Sequence, residues 1–242
     1  MKKTSHSLAD WIVYEDDTLL ALNKPAGWAT LAERNQPGTG LLDLVRQTYP
    51  DIKVCHRLDK QTTGVLLFAK TPEAYRDIAI QFESRQVEKH YHALIHGSHA
   101  LEGLLVEAPI HTDDGISRVD FQQGRASATL INTHTAWRHF TLLDCQPFTG
   151  RAHQIRVHLA YIQCPIVGDT LYGGEGMLLS ALKRNYKPDR EQEERPLNKS
   201  FLLHSVSLGF THPATGELCK VEAPLNENFA MCVGKLDKYD RL

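Results

Sequence analysis

Residues 56–70 read HRLDKQTTGVLLFAK and carry the clearest local prediction in the chain. His56, Arg57 and Asp59 come directly before the apolar run 64–69, and a short apolar run of this kind predicts a buried strand. A loop at the end of a rigid strand can hold polar side chains in a cleft. In isolation, an Arg two residues before an Asp is also typical of a surface ion pair, so both interpretations stay open at this point.

A second segment, GRAHQIRVHLAYIQCPIVGD at residues 150–169, concentrates basic side chains. Within eight residues it holds Arg151, His153, Arg156 and His158. The apolar spacing predicts a helix over 152–163, on which positions 153 and 156 share a face opposite the apolar positions. That face is either an ordinary solvated helix surface or a cationic site for a phosphate or a carboxylate.

Elsewhere, strand patterns outnumber helix patterns. Helices are predicted at 40–49 and from Thr71 to Ser84, where Thr71 is the N-cap and Pro72 the first helical residue. Strands are predicted at 11–24 (two strands around a turn), 64–70, 88–96, 104–110, 126–133, 137–145, 202–210 and 217–223. This order predicts an α+β fold, with a mixed, largely antiparallel sheet and flanking helices.

Composition excludes several classes of protein. The chain has 242 residues, of which 42% are hydrophobic and 23% charged, which excludes a disordered or collagen-like chain. No apolar run approaches the ~20 residues of a membrane-spanning helix, and no apolar segment follows the N-terminal lysines as it would in a signal peptide. Five scattered cysteines without a CxxC pair argue against a disulfide framework or zinc site and favour a reducing, cytoplasmic location.

One segment of the chain is densely charged. Residues 183–199 hold six basic and four acidic side chains without an apolar stripe, which predicts a charged surface loop; an RNA-contacting insertion is the alternative. The formal net charge of −2 means that any nucleic-acid surface must be locally basic.

Taken together and in order, these segments resemble the RluA-like family of RNA pseudouridine synthases. The resemblance rests on NKPAGW at 23–28, HRLDKQTTGVLL at 56–67, GRASATL at 124–130, GRAHQIRVHLAYIQCPIVGD at 150–169 and LLHSVSLGFTHPATGE at 202–217. It covers residues 11–225, which implies an N-terminal tail at 1–10 and a single catalytic domain at 11–242. The family reads TSG and LLHA where this chain has Thr62-Thr63-Gly64 and Ser205. Because Trp11 already lies in the matching region, we expect the form without an extra N-terminal RNA-binding domain.

The resemblance implies an isomerase that converts uridine to pseudouridine in structured RNA, with a central RNA-binding cleft. It assigns Asp59 as the catalytic carboxylate, Arg156 as its partner and Tyr91 as the active-site tyrosine. For Asp59 it leaves two roles open: attack on the anomeric carbon of the ribose, or removal of a ribose proton to give a glycal-like intermediate. The side chains expected to contact or shape the RNA site are His56, Arg57, Thr63, Arg151, His153 and Gln154.

The resemblance also implies the partners. We expect an RNA substrate, either a tRNA or an rRNA stem-loop, a monomer, no membrane association, and no metal or cofactor. A catalytically idle RNA-binding protein of the same fold is the alternative, but it would have no need of Asp59, Tyr91 and Arg156 together. A carboxylate-based glycosidase would need a second carboxylate near Asp59, and the matched motifs supply none.

Overall fold

The computed structural model describes residues 7–32, 38–183, 186 and 193–242. They divide into two units, one formed by the chain up to Lys89 with Ser205–Pro224, the other by His90–His204 with Leu225–Leu242. The predicted tail ends in a 3-10 helix, Leu8–Trp11, and its first six residues lie outside the described ranges. Eight of the seventeen residues of the predicted charged loop, 184–185 and 187–192, also lie outside them.

The first unit contains an antiparallel sheet with helices beside it. Its strands are β1 (Ile12–Glu15), β2 (Leu19–Lys24), β3 (Lys53–Val54), β4 (Thr63–Ala69), β11 (Leu203–Thr211) and β12 (Leu218–Glu222). Strand β4 lies between β2 and β11, and the pairs β1–β2, β2–β4, β3–β4 and β11–β12 are antiparallel. All seven residues of β4 are buried, as its unbroken apolar sequence predicts.

Two helices accompany this sheet, α1 (Leu41–Arg46) and α2 (Pro72–Glu83). Helix α2 begins as predicted, since the Thr71 hydroxyl accepts the Ala74 N–H at 3.2 Å and Pro72 occupies the first turn. Its buried residues Ala74 and Ile78 join the apolar cluster formed by β2, β4 and β11. This packing gives the loop before β4 a rigid base.

The second unit contains the antiparallel order β5–β10–β9–β6. These strands are β5 (Glu88–His96), β6 (Leu104–Glu107), β9 (Ala128–Ala136) and β10 (Phe140–Pro147), and a separate hairpin joins β7 (Ile110–Asp113) to β8 (Ile116–Val119). The helices are α3 (Gln154–Tyr161), the short α4 (Leu179–Leu182) and α5 (Glu227–Tyr239). Phe229, Cys232 and Leu236 of α5 pack into the apolar cluster of this unit.

The predicted fold class is confirmed: strands predominate, the pairs with a described register are antiparallel, and helices flank them. Several bounds were wrong. The helix predicted over 152–163 begins at Gln154, because His153 has a left-handed backbone with φ of 54° and cannot continue a right-handed helix. The strand predicted at 104–110 is β6 followed by the start of β7, while α5 and the β7–β8 hairpin were not predicted.

Candidate active site

The loop that carries Asp59 is held by a clamp, a set of hydrogen bonds to the two residues that flank it, Leu58 and Lys60. On one side, the buried Thr30 hydroxyl donates to the Leu58 carbonyl at 2.9 Å and accepts the Leu58 N–H at 3.1 Å. On the other side, the Lys60 carbonyl accepts the Gly27 N–H at 2.9 Å. The backbone around Asp59 is thus fixed by the segment that follows β2.

Lys24, the last residue of β2, reinforces this clamp from inside the unit. Its side chain is fully buried, and Nζ donates to the carbonyls of Pro25 at 3.1 Å, Trp28 at 2.8 Å and Lys60 at 3.0 Å. Burial lowers the pKa of Lys24 to about 7, and the charge of Asp59 opposes that shift. The catalytic carboxylate expected from the sequence therefore has a buried cation within its electrostatic reach.

His56 supports the same loop as a neutral ring. Its Nε2 accepts the Leu67 N–H of β4 at 3.1 Å, and the ring packs 5.1 Å from that of Phe82 in α2. Burial, with the charge of Lys89 as a smaller cause, lowers the pKa of His56 to about 4. These contacts give His56 a buttressing role, and its expected contact with RNA stays a prediction.

Two other residues expected at the RNA site belong to this unit. Arg57 is exposed, and its side chain is accessible to a ligand. Thr63 opens β4 and is buried, with 1% of its surface exposed. RNA contact by either residue stays a prediction.

Tyr91 and Arg156 belong to the second unit. Tyr91 lies in β5 opposite Cys145 of β10 and is 8% exposed. Arg156 lies in α3 and is 6% exposed; its Nε and Nη2 donate to the two carboxylate oxygens of Asp169 at 2.6 and 2.9 Å. A bidentate pair of this kind holds a guanidinium in one orientation.

The interpretation of residues 153–158 as a solvated helix face is wrong. Arg156 and His158 are both buried, and His158 bonds through its two ring nitrogens to the Thr129 hydroxyl at 2.8 Å and the Ala108 carbonyl at 2.9 Å. Burial of α3 on nearly all sides explains the difference, because six of its eight residues are buried. A spacing pattern cannot reveal that neighbouring strands cover the polar face too.

Gln154 shapes the turn that precedes α3. Its side-chain oxygen accepts from the Thr149 hydroxyl at 2.6 Å and the Arg151 N–H at 3.0 Å. Its amide nitrogen donates to the Ala128 carbonyl at 2.9 Å and the Thr129 hydroxyl at 3.0 Å. These four bonds use both donors and both acceptor positions of the amide, so they give Gln154 a structural role, and its expected contact with RNA stays a prediction.

Arg151 and His153 are anchored by protein groups as well. Arg151 Nε donates to the Ala126 carbonyl at 3.2 Å, while its side chain is partly exposed. His153 Nδ1 lies 2.7 Å from the Tyr172 hydroxyl. Both positions leave surface that a ligand could reach, and their contact with RNA also stays a prediction.

Sequence reasoning missed four supporting residues, namely Lys24, Thr30, Asp169 and Tyr172. Lys24 and Asp169 lie within segments that carried the family resemblance, NKPAGW and the final VGD of residues 150–169. The roles of Lys24 and Asp169 depend on partners that are distant along the chain, so the local sequence did not indicate them. Among the described residues, no group of three or more His, Cys, Asp or Glu side chains is placed to hold a metal ion. Over the same ranges, no helix has the length and apolar character to cross a membrane.

Comparisons with known proteins identify the family of the chain. A family model for RNA pseudouridylate synthase matches residues 18–161. Ribosomal large subunit pseudouridine synthase C of Escherichia coli K12 is 37% identical over 238 residues, which cover 95% of this chain and 71% of that protein.

Two solved structures share the fold. Human RNA pseudouridylate synthase domain containing 1 has a TM-score of 0.67 and 25% identity, covering 88% of this chain and 82% of its own. Human RNA pseudouridylate synthase domain containing 4 has a TM-score of 0.70 and 24% identity, covering 95% and 94%. The bacterial relative is named as a synthase, and no comparison supports a catalytically idle RNA-binding protein. The chain therefore belongs to the RluA-like family of RNA pseudouridine synthases and is an isomerase that converts uridine to pseudouridine in RNA.

Proposed function

We propose that the uridine modified by this protein lies in the RNA of the large ribosomal subunit. The observation that carries the proposal is the 37% identity, over 95% of this chain, to an enzyme named for that substrate. A tRNA stem-loop is the competing substrate that the sequence leaves open. Both are structured RNAs whose loop bases can leave the stack, which costs a few kcal/mol.

Asp59 is the proposed catalytic carboxylate. The clamp on Leu58 and Lys60 supports this role, because a group that acts on one ribose atom must be held in a fixed geometry. In one alternative the carboxylate attacks the anomeric carbon and forms an ester, which breaks again when that carbon bonds to C5. In the other it removes a ribose proton to give a glycal-like intermediate and returns that proton when the bond to C5 forms. In both cases the bond from the ribose to N1 breaks, the uracil turns, and a bond forms from the same ribose carbon to C5.

Tyr91 and Arg156 have the remaining proposed roles. The C5 proton must leave and N1 must regain a proton for the isomerisation to balance, and the phenol of Tyr91 is the proposed relay. General acid–base help of this kind is worth roughly 10²–10⁴-fold in rate. Arg156 is the proposed cationic partner of the catalytic carboxylate, and its rigid pair with Asp169 supports a role that depends on orientation.

The test is to map pseudouridine by carbodiimide adducts in total RNA from cells that lack the protein. The cells are complemented with the wild type, Asp59→Asn or Asp51→Asn, an exposed carboxylate used as the matched control. We expect one or more large-subunit rRNA positions to be lost, and to be restored by the wild type and the control but not by Asp59→Asn. Loss only in tRNA would overturn the substrate, and restoration by Asp59→Asn would overturn the catalytic role.

The expected monomer, single catalytic domain and cytoplasmic location belong to the same proposal. An rRNA substrate supports a location where ribosomes are assembled. Sedimentation of the purified protein with and without the RNA tests the monomer. A dimer that forms in the absence of RNA would contradict it.

A further inference from the structure

Tyr172 occupies a position that neither the sequence motifs nor the proposed mechanism assigns. It ends a short 3-10 helix, Thr170–Tyr172, whose N-cap is Asp169. Its ring centroid lies 4.9 Å from the guanidinium carbon of Arg156. Tyr172 therefore contacts Arg156 through its ring, and it lies three positions after Asp169, whose carboxylate Arg156 binds.

The Tyr172 hydroxyl is anchored at the far end of the ring. It accepts the Ser117 N–H of β8 at 3.2 Å and lies 2.7 Å from Nδ1 of His153. The hydroxyl oxygen already accepts a hydrogen bond from the Ser117 N–H. Its own single proton is therefore available for a hydrogen bond to Nδ1 of His153. The ring is thus tied to the β7–β8 hairpin and to the residue that caps α3.

The guanidinium of Arg156 is confined by more than its carboxylate. The Phe201 ring lies 4.4 Å from the guanidinium carbon, so two aromatic rings contact this group. A carboxylate fixes the N–H donors of a guanidinium, while rings over its face restrict rotation and exclude water. Asp169, Tyr172 and Phe201 together define one orientation for the side chain.

We propose that Tyr172 is a positioning residue for Arg156: its ring, packed against the guanidinium, holds that group in the orientation needed for the reaction. The proposal rests on the proposed role of Arg156 in catalysis. It assigns Tyr172 an effect on the chemical step rather than on RNA affinity. It also predicts that Phe at position 172 replaces Tyr better than an aliphatic residue does.

The experiment compares Tyr172→Phe and Tyr172→Leu with Tyr161→Leu, a half-exposed tyrosine of the same unit whose ring contacts Phe121. Single-turnover rates at saturating enzyme and Kd values for rRNA fragments are measured for each protein. We expect the Leu variant at 172 to lose at least 30-fold in rate, and the Phe variant less than threefold. All three Kd values should stay within threefold of the wild type.

A second readout follows Arg156 directly. Its Nε–H gives an NMR signal, identified by its loss in Arg156→Lys, that is sensitive to the nearby rings and to exchange with water. We expect this signal to shift and to exchange at least tenfold faster in Tyr172→Leu, and to persist in Tyr172→Phe. Tyr172→Met, which fills the same space without a ring, replaces the Leu variant if that variant does not fold.

The outcomes separate this inference from the proposed function. An unchanged Arg156 signal in the Leu variant, or equal rate losses for Phe and Leu, would overturn the role of Tyr172. A wild-type rate in Arg156→Lys would instead overturn the proposed catalytic role of Arg156. In that case a displaced Nε–H signal in Tyr172→Leu would still show that Tyr172 positions the guanidinium.

Discussion

The ammonium of Lys24 is buried 3.0 Å from the carbonyl oxygen of Lys60, the residue that follows Asp59. Burial lowers the pKa of Lys24 from its ordinary 10.5 to about 7. Between pH 7 and 10 the unfolded chain therefore holds a proton that the folded chain has released. The contribution of Lys24 to the free energy of unfolding should therefore rise with pH across this window, by at most about 1.4 kcal/mol per pH unit.

Urea unfolding of the wild type and Lys24→Met at pH 7, 8 and 9 checks this prediction. Lys89, whose pKa is lowered to about 8 by burial, titrates in both proteins, so the difference between them isolates Lys24. We expect the wild type to gain stability relative to the variant as the pH rises. A difference in the free energy of unfolding that does not change with pH would contradict the lowered pKa of Lys24.

A second prediction concerns Thr30 and its two hydrogen bonds to Leu58. Thr30→Val leaves both backbone groups of Leu58 without this partner in a buried site, which costs about 1–3 kcal/mol. Because Leu58 precedes Asp59, turnover should fall at least tenfold, while Thr30→Ser keeps the hydroxyl and should stay near the wild type. Urea unfolding and single-turnover rates measure the two effects, and equal rates for Val and Ser would contradict the clamp.

Local sequence predicted the elements whose signals lie within themselves. Helix α2 and strands β4 and β5 were placed to within a residue, because Thr71-Pro72 marks a start and the apolar patterns are continuous. The β7–β8 hairpin was missed because it has few apolar residues, and its exposed Ile116 gives no inward pattern. Helix α5 was missed although Asn226 is a good N-cap and three apolar residues follow at helical spacing.

The site shows the same division. Motifs carried the assignments of Asp59, Tyr91 and Arg156, which stay predictions, because the family resemblance attaches roles to short segments. Thr30 and Lys24 could not be predicted, since their partners Leu58 and Lys60 lie 28 and 36 positions away along the chain. Such contacts arise only when β2 and β4 pair, so they are a consequence of tertiary structure.

A third prediction concerns Gly64, the second residue of β4. Its backbone has a φ of +102°, and a Cβ at this position would clash with the backbone of Ser205. Gly64→Ala therefore combines backbone strain with a clash that no side-chain rotation relieves. We expect it to lower the free energy of unfolding by about 3 kcal/mol or more. Thermal unfolding measures the loss.

Gly216→Ala is the matched control for this variant. Gly216 also has a positive φ, +72°, but an added Cβ would meet nothing within 4 Å. In Gly216→Ala, backbone strain alone should then lower the free energy of unfolding by about 1 kcal/mol. Similar losses at the two positions would show that the approach of Ser205 to Gly64 contributes little.

The last prediction concerns Ser205, which stands where the family reads Ala. Its Oγ is buried and has no hydrogen-bond partner within the described part of the chain. A buried hydroxyl without a partner loses its hydration without compensation, so Ser205→Ala should raise the free energy of unfolding by about 1 kcal/mol. Ser127→Ala is the opposite case, because the Ser127 hydroxyl donates to the Ala108 carbonyl at 2.6 Å and its removal should cost about 1 kcal/mol. Urea unfolding of both variants should therefore give changes of opposite sign, and a loss of stability in Ser205→Ala would mean that its hydroxyl is hydrogen-bonded in solution.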